Sequence, residues 1–265
     1  MYQGTIEKHN VKSIDFNCDL AQSFGVYKNN AEYELLDYVS SVNISCGFHA
    51  GDPLSIKNAL LAAKERNLVI GAHIGFDDIQ GFGYRNMDLR DDEIEALVIY
   101  QVGALMSFAK SYNLEIEHVR PHGAMYKQAS EDFQFACSIA KAIKKCSQWL
   151  VYYGAAGDVT QKVGEFLEIP IAQELHLNKV YNEDLTIDYS APERNDAEYA
   201  IRRLQNFLHS SQVNNNQNGM SYIPANTIHL SNKYASSIEI AQRAYSAIVP
   251  EPVNFIKAKS SGWVG

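Results

Sequence analysis

Three histidines and one early aspartate carry the chemistry this chain could do, and each stands where a short apolar run ends. Asp19 closes Asn17-Cys18-Asp19, and His49 lies within Gly47-Phe48-His49-Ala50-Gly51-Asp52. His73 follows Gly71-Ala72, and His122 sits in Arg120-Pro121-His122-Gly123. A carboxylate among imidazoles can act as a general base, as a metal ligand, or as the group that orients a histidine. Asp, His, His and His from separate strands could bind a divalent metal, since imidazole and carboxylate suit zinc or iron and an open position would activate water. They could equally do metal-free acid/base work. Spacing does not choose, because ligands on different strands carry no fixed interval.

Taken singly, each of these residues has an ordinary role as a cap, a turn residue or a core imidazole. Their surroundings favour more. Gly47 and Gly51 let the backbone approach a ligand, and the helix start at Asp52-Pro53 favours an anion such as a carboxylate or phosphate. His118 and His122 are four apart, but Pro121 between them argues against a helical zinc pair. On an extended strand they share a face, and the turn at Pro121-Gly123 leaves His122 on the rim and His118 near the strand start.

Other chemistries find less support. Cys18 and Cys46 lie toward strand ends, where thiols are more often buried and inert than nucleophilic. No G-x-S-x-G elbow, P-loop or G-x-G-x-x-G fingerprint occurs, so the chain shows no standard site for a serine nucleophile, ATP or a dinucleotide.

The elements that must position these residues alternate. Short β-type runs are expected at 13–19, 41–46, 68–73, 118–122, 149–154, 169–173 and 227–230. Amphipathic helices are expected from Asp52-Pro53, after Asp91-Asp92, from Ser130 through Ile143, over Asp196–His209 and over Tyr234–Val249. Strands joined by helical crossovers make a parallel sheet, and seven of them favour one α/β domain closing as a barrel. A doubly wound open sheet is the alternative. In either case ligands bind beyond the C-terminal strand ends, where the four candidate residues fall. The stretch 210–226, rich in Asn, Ser and Gln, reads as an exposed polar loop between the last two strands.

At 265 residues with 46% apolar side chains the chain can build a full core without staples, which removes disordered and disulfide-scaffold classes. Lys plus Arg is 23 against 31 for Asp plus Glu, and the net charge of −8 works against nucleic acid. The four cysteines form no C-x-x-C pair and read as reduced thiols of a cytoplasmic protein. Residues Met1 to Asn10 lack the pattern of a secretory signal, and no apolar run is long enough to span a bilayer.

The string N-I-S-C-G-F-H-A-G-D-P at 43–53, with F-N-C-D-L at 16–20, G-A-H at 71–73, G-F-G-Y-R at 81–85 and R-P-H-G-A-M-Y at 120–126, resembles the LamB/YcsF family. That family includes the A subunit of the prokaryotic ATP-dependent 5-oxoprolinase. The resemblance implies a seven-stranded (β/α) barrel, related in shape to the polysaccharide deacetylases, forming a single domain over 1–265. It implies a part in opening the lactam of 5-oxo-L-proline to L-glutamate, with ATP used through partner subunits. Carried over residue by residue, it places catalytic roles on Asp19, His49, His73 and His122, with a divalent metal possible there. His49 and His73 would activate water or stabilise the oxyanion, and His122 would deliver a proton to the leaving nitrogen. Substrate contacts would fall on Asn17, Asn43, Asp52, Arg85, Tyr126, Glu174 and Tyr181.

Later motifs depart from the family. A Gly-Glu pair appears as Ala21-Gln22, an Asp-Arg pair as Asn178-Lys179, and an H-G-D string as His229-Leu230-Ser231. Three expected carboxylates are thus neutral, and an amide can neither act as a base nor carry charge. Two other functions stay open on these grounds: a metal-dependent deacetylase or amidohydrolase acting on another small amide or sugar, and a non-catalytic small-molecule-binding subunit.

Overall fold

A computed structural model describes residues 13–27, 30–248 and 254–255. Strands β1 (Ser13–Leu20), β2 (Ser41–Ser45), β3 (Val69–Ile74), β4 (His118–Pro121), β5 (Val151–Ala155) and β6 (Ile171–His176) pair in chain order, all parallel. After a small antiparallel hairpin, β7 (Gln212–Asn214) and β8 (Met220–Tyr222), strand β9 (Thr227–His229) pairs with both β6 and β1 and closes the barrel at seven strands. A short β10 (Asn254–Phe255) pairs with the first residues of β1. The expected barrel is the observed one, and the open sheet is not.

Helices α1 (Pro53–Glu65), α2 (Asp91–Ser111), α3 (Gly123–Glu131), α4 (Phe133–Cys146), α5 (Asp158–Leu167), α6 (Ala197–Ser210) and α7 (Ser237–Ile248), with a 3-10 helix at Asn30–Tyr38, form the outer layer. With helices outside and side chains within, β2, β3 and β4 are buried throughout. Helix α1 starts as its sequence dictates: the Asp52 carboxylate accepts from the amides of Leu54 and Ser55, and Pro53 takes the first helical position. Helix α4 starts at Phe133 behind an Asp132 cap rather than at Ser130. The expected strand at 149–154 begins two residues later, leaving Trp149 exposed. The expected strand at 169–173 instead runs to His176, which matters for the site. The segment 210–226 is not a simple loop: it holds the β7–β8 hairpin, pinned by fully buried Val213 and Ile223. The Met1 to Asn10 reading and Val249 of the last helix lie outside the described residues. No helix among them is long and apolar enough to cross a membrane.

Alternation along β1 sends Ile14, Phe16, Cys18 and Leu20 toward the helices and Asp15, Asn17 and Asp19 into the barrel. The interior is therefore polar and built in layers. In the lowest, Asp15 accepts hydrogen bonds from the hydroxyls of Ser40, Ser41, Tyr153 and Thr227. In the next, the Asn17 amide donates to Glu174 (2.9 Å) and Thr227 (2.7 Å), while its carbonyl oxygen accepts from Asn43 (2.8 Å). Asp19 stands in the third layer, at the C-terminal rim.

Candidate active site

Asp19 is the hub of the rim. Its Oδ1 accepts from Asn43 Nδ2 (3.1 Å) and Arg120 Nη1 (3.3 Å) and lies 3.4 Å from His73 Nε2; its Oδ2 lies 3.3 Å from His229 Nε2. Burial opposes ionisation here, but the permanently charged Arg120 guanidinium beside it helps to hold the carboxyl well below the usual aspartate range. Arg120 forms a two-point ion pair with Glu174 (2.8–3.0 Å), and both are almost wholly buried. Glu174 also lies 3.1 Å from His176 Nε2, which in turn meets the Tyr126 hydroxyl at 2.9 Å.

Beside Asp19, the imidazoles of His49, His73 and His122 form one buried nest. His49 stacks on His122 at 4.0 Å between ring centroids, and His73 stands edge-on to both. One donor atom from each lies within 4.8 Å of the others. The hydrogen bonds behind the rings determine what faces inward. His73 Nδ1 meets the carbonyl oxygen of Arg120 at 3.2 Å, and His122 Nε2 meets that of Phe82 at 2.7 Å. Carbonyl oxygens only accept, so both nitrogens carry the proton. The neutral rings then turn bare lone pairs toward each other, His73 Nε2 and His122 Nδ1, across 3.0 Å.

No side chain among the described residues donates a hydrogen bond into that gap. An added proton is disfavoured, because burial pushes His122 down to about 3 and lowers His73 and His49 as well. His49 Nδ1 is buried with no hydrogen-bond partner, and a Cβ on Gly75 would lie 2.4 Å from it, so only glycine leaves that nitrogen room. A divalent ion fits this donor set. Two imidazole nitrogens each about 2.1 Å from one ion stand roughly 3 Å apart when the bonds are near perpendicular, and the carbonyls behind His73 and His122 are the usual outer support of such ligands.

Two loops keep Asp19 and His49 in register. Gly51, at φ +89°, is packed so closely that a Cβ would meet Ser45 O at 2.9 Å and Ala21 O at 3.2 Å. After β1 the chain turns through Ala21, left-handed at φ 60°, and Glu32 accepts from the backbone amide of Gln22 at 2.9 Å. Burial pushes Glu32 up to about 7 against an ordinary 4.5. Between those values the unfolded chain has already lost a proton that the folded chain keeps, so stability falls as pH rises from about 4.5 to about 7. The buried histidines, whose lowered values favour the fold as pH rises, act in the opposite direction, so the Glu32 contribution is read as a difference: the melting temperature of Glu32→Gln minus that of the wild type should grow as pH rises from about 4.5 to about 7.

An open cavity of about 400 Å³ lies above the nest, lined by Asp19, Arg120, His122, Tyr126, His176 and His229 and, at its edge, by Tyr84, Lys179 and Lys233. The four residues expected to be catalytic do come together, but only Asp19 and His122 reach the cavity; His49 and His73 are enclosed behind them. Of the expected substrate contacts, Tyr126 lines the cavity. Asn17, Asn43 and Glu174 lie beneath it, where they hold Asp19 and Arg120, and the Tyr181 hydroxyl accepts from the backbone amide of His176. Asp52 is occupied by its cap and by the Gly25 amide, and Arg85 pairs with Asp78 away from the cavity. For both, a local partner captures the charge. His118 stacks on Tyr153 and meets Asn43 Oδ1 at 2.8 Å, as a structural imidazole.

Arg120, His176 and His229 were not among the expected site residues. His176 had a signal, since it stands two residues after Glu174 and so shares its face once β6 is extended to its true end. Burial raises Cys18 and pushes Cys46 up to about 12, which leaves no reactive thiol at the rim.

A parallel seven-stranded barrel that gathers a carboxylate, a guanidinium and five imidazoles beneath one cavity defines a (β/α)-barrel protein with an acid–histidine centre at its C-terminal rim. The chain belongs to the LamB/YcsF family, whose model matches residues 14–261. It is 37% identical over 237 residues to the A subunit of 5-oxoprolinase from Bacillus cereus, covering 88% of this chain and 94% of that one. The corresponding A subunit from Geobacillus kaustophilus is 36% identical over 246 residues, 92% of this chain and 96% of the relative. Among solved structures, the lactam utilization protein of Thermus thermophilus is similar at a TM-score of 0.85 and 30% identity, over 92% of this chain and 98% of that one.

Proposed function

We propose that this chain is the lactam-opening component of an ATP-dependent 5-oxoprolinase, hydrolysing 5-oxo-L-proline to L-glutamate with ATP handled by partner subunits. The observation that carries the reading is the pair of opposed lone pairs, His73 Nε2 and His122 Nδ1, 3.0 Å apart beside ionised Asp19 at the base of a small cavity. The names of the relatives supply the substrate and the partnership. A divalent ion held by His49, His73 and His122 with Asp19 would supply Lewis-acid polarisation of a carbonyl and a lowered pKa for water.

The chain's own residues do the rest. Water adds its oxygen to the ring carbonyl carbon, the C–N bond breaks, and the proton moves to the nitrogen, giving the carboxylate and amine of glutamate. Arg120, fixed by Glu174, presents positive charge to the cavity where the carbonyl oxygen becomes negative. His229, on the cavity wall with Nε2 3.3 Å from Asp19, is placed to carry the proton to the leaving nitrogen. His229 is favoured over His122, the donor expected from the sequence, because the one proton of neutral His122 sits on Nε2 against the Phe82 carbonyl oxygen. An unstrained lactam is a poor electrophile, which is the physical reason for coupling to ATP.

The test is glutamate release from 5-oxo-L-proline by the purified chain, with and without its partner subunits and ATP. Release is expected only with all present. Release by the chain alone would contradict the partnership, and none under any condition would contradict the substrate.

A further inference from the structure

The charges around the cavity do not balance. Four cations line it, Arg120, Lys127, Lys179 and Lys233, against the carboxylates of Asp19 and Glu193, with Glu174 directly behind Arg120. Arg120 is satisfied by Glu174 and Asp19, and Lys179 by Glu193, which also accepts from Asn178 and Tyr234. Two cations are left without an ion pair among the described residues. Lys127 lies over the Tyr189 ring at 5.0 Å, on the side of the cavity that Lys179 and Glu193 share. Lys233 follows β9, and its ammonium donates to the Tyr84 hydroxyl and stands 4.6 Å from that ring's centroid. The Tyr84 ring is itself 5.1 Å from that of His122. The unpaired charge thus stands one aromatic ring away from the proposed reacting centre, in a chain whose net charge is −8.

From this we infer that Lys233, steadied by Tyr84, is a specificity residue that anchors an anionic carboxylate of the substrate at the cavity rim while the amide to be cleaved lies over His122 and Asp19. The inference deepens the proposed function and rests on it for the identity of the amide; the demand for a carboxylate comes from the charge balance alone. A cation held by a neutral hydroxyl and a ring keeps donors free for an incoming anion, whereas one paired to a carboxylate would have to exchange partners. Size also fits. A cavity of about 400 Å³ takes a small ring acid, not a polymer strand.

Calorimetric titration of the full chain with 5-oxo-L-proline, its carboxamide and the open-chain acid N-acetylglycine tests this. The wild type should bind 5-oxo-L-proline at least about tenfold more tightly than the carboxamide, the usual worth of a charge-assisted hydrogen bond. Lys233→Gln should bring that ratio near one by weakening the acid alone, and Lys233→Arg should preserve it. Because Lys233 is exposed, both variants should melt with the wild type. An unchanged ratio in Lys233→Gln overturns the inference, as does a wild type that binds none of these carboxylates. If the wild type ignores 5-oxo-L-proline but binds N-acetylglycine, and Lys233→Gln loses that binding, the anchor stands and the 5-oxoproline reading falls.

Discussion

His122→Ala should lower lactam turnover by about a thousandfold while leaving the barrel folded. The imidazole faces His73 across 3.0 Å and stacks on His49 at 4.0 Å, so its loss removes one member of the donor set and opens the wall of the nest. An ion bound there contributes several kcal/mol of charge stabilisation, and at 1.36 kcal/mol per tenfold a loss of about 4 kcal/mol is three orders of magnitude. The carbonyl oxygen of Phe82 loses its donor but lies in a loop near the open cavity, where water can replace it. Initial-rate assays with partner subunits present should find kcat reduced with the secondary structure unchanged by circular dichroism. A variant retaining more than a tenth of wild-type turnover would remove His122 from the centre.

The largest expected effect on stability is at Arg120. Its guanidinium compensates Glu174, which is 0% exposed, and helps to compensate Asp19, which is 3% exposed. Arg120→Met takes the guanidinium from both buried carboxylates, and breaking a buried pair from one side costs about 3–5 kcal/mol. For a domain of this size that is a fall of roughly 10 °C in melting temperature. The sign of its pH dependence follows. Without Arg120, Glu174 takes a raised pKa, so the deficit should shrink as pH falls through that value and the carboxyl is neutralised. Arg120→Lys should recover only part of the loss, because an ammonium cannot make the two-point contact with Glu174 while reaching Asp19. Adding Glu174→Gln to Arg120→Met should recover more. Thermal scans of the four proteins decide it, and a melting temperature for Arg120→Met within about 2–3 °C of wild type would contradict this role for the buried guanidinium.

The barrel and the histidine cluster were legible in the sequence for a clear reason. Each candidate residue closes a short β-type run, and parallel strands joined by helices must send those ends to one face, as happens for Asp19, Ser45–His49, His73 and His122. Local chemistry that depends on two or three adjacent residues was also readable, as at the Asp52-Pro53 start of α1. What escaped depends on contacts between distant segments. The charges of Arg85 and Arg120 are equivalent in sequence. Only the fold shows that Arg85 turns to Asp78, seven residues away, while Arg120 reaches across the barrel to Asp19 and Glu174. Ending β6 at Gln173 hid the Glu174–His176 face, and the turn expected before Gly123 gave no sign of α3, which opens at Gly123. The three missing carboxylates also look different in place. Asn178 donates to Glu193 at 3.0 Å, and that carboxylate also pairs with Lys179, so negative charge reaches this wall from a residue the motif does not contain.

The nest of His49, His73 and His122 beside Asp19 is proposed to hold a divalent ion needed to open the lactam. Dialysing the chain against a chelator, verifying metal removal by elemental analysis, and measuring ATP-dependent glutamate release with the partner subunits before and after restoring the ion tests this most directly. The expected result is about one divalent ion per wild-type chain, loss of turnover on its removal, and recovery when it is returned. Full turnover by a chain carrying no metal would contradict it.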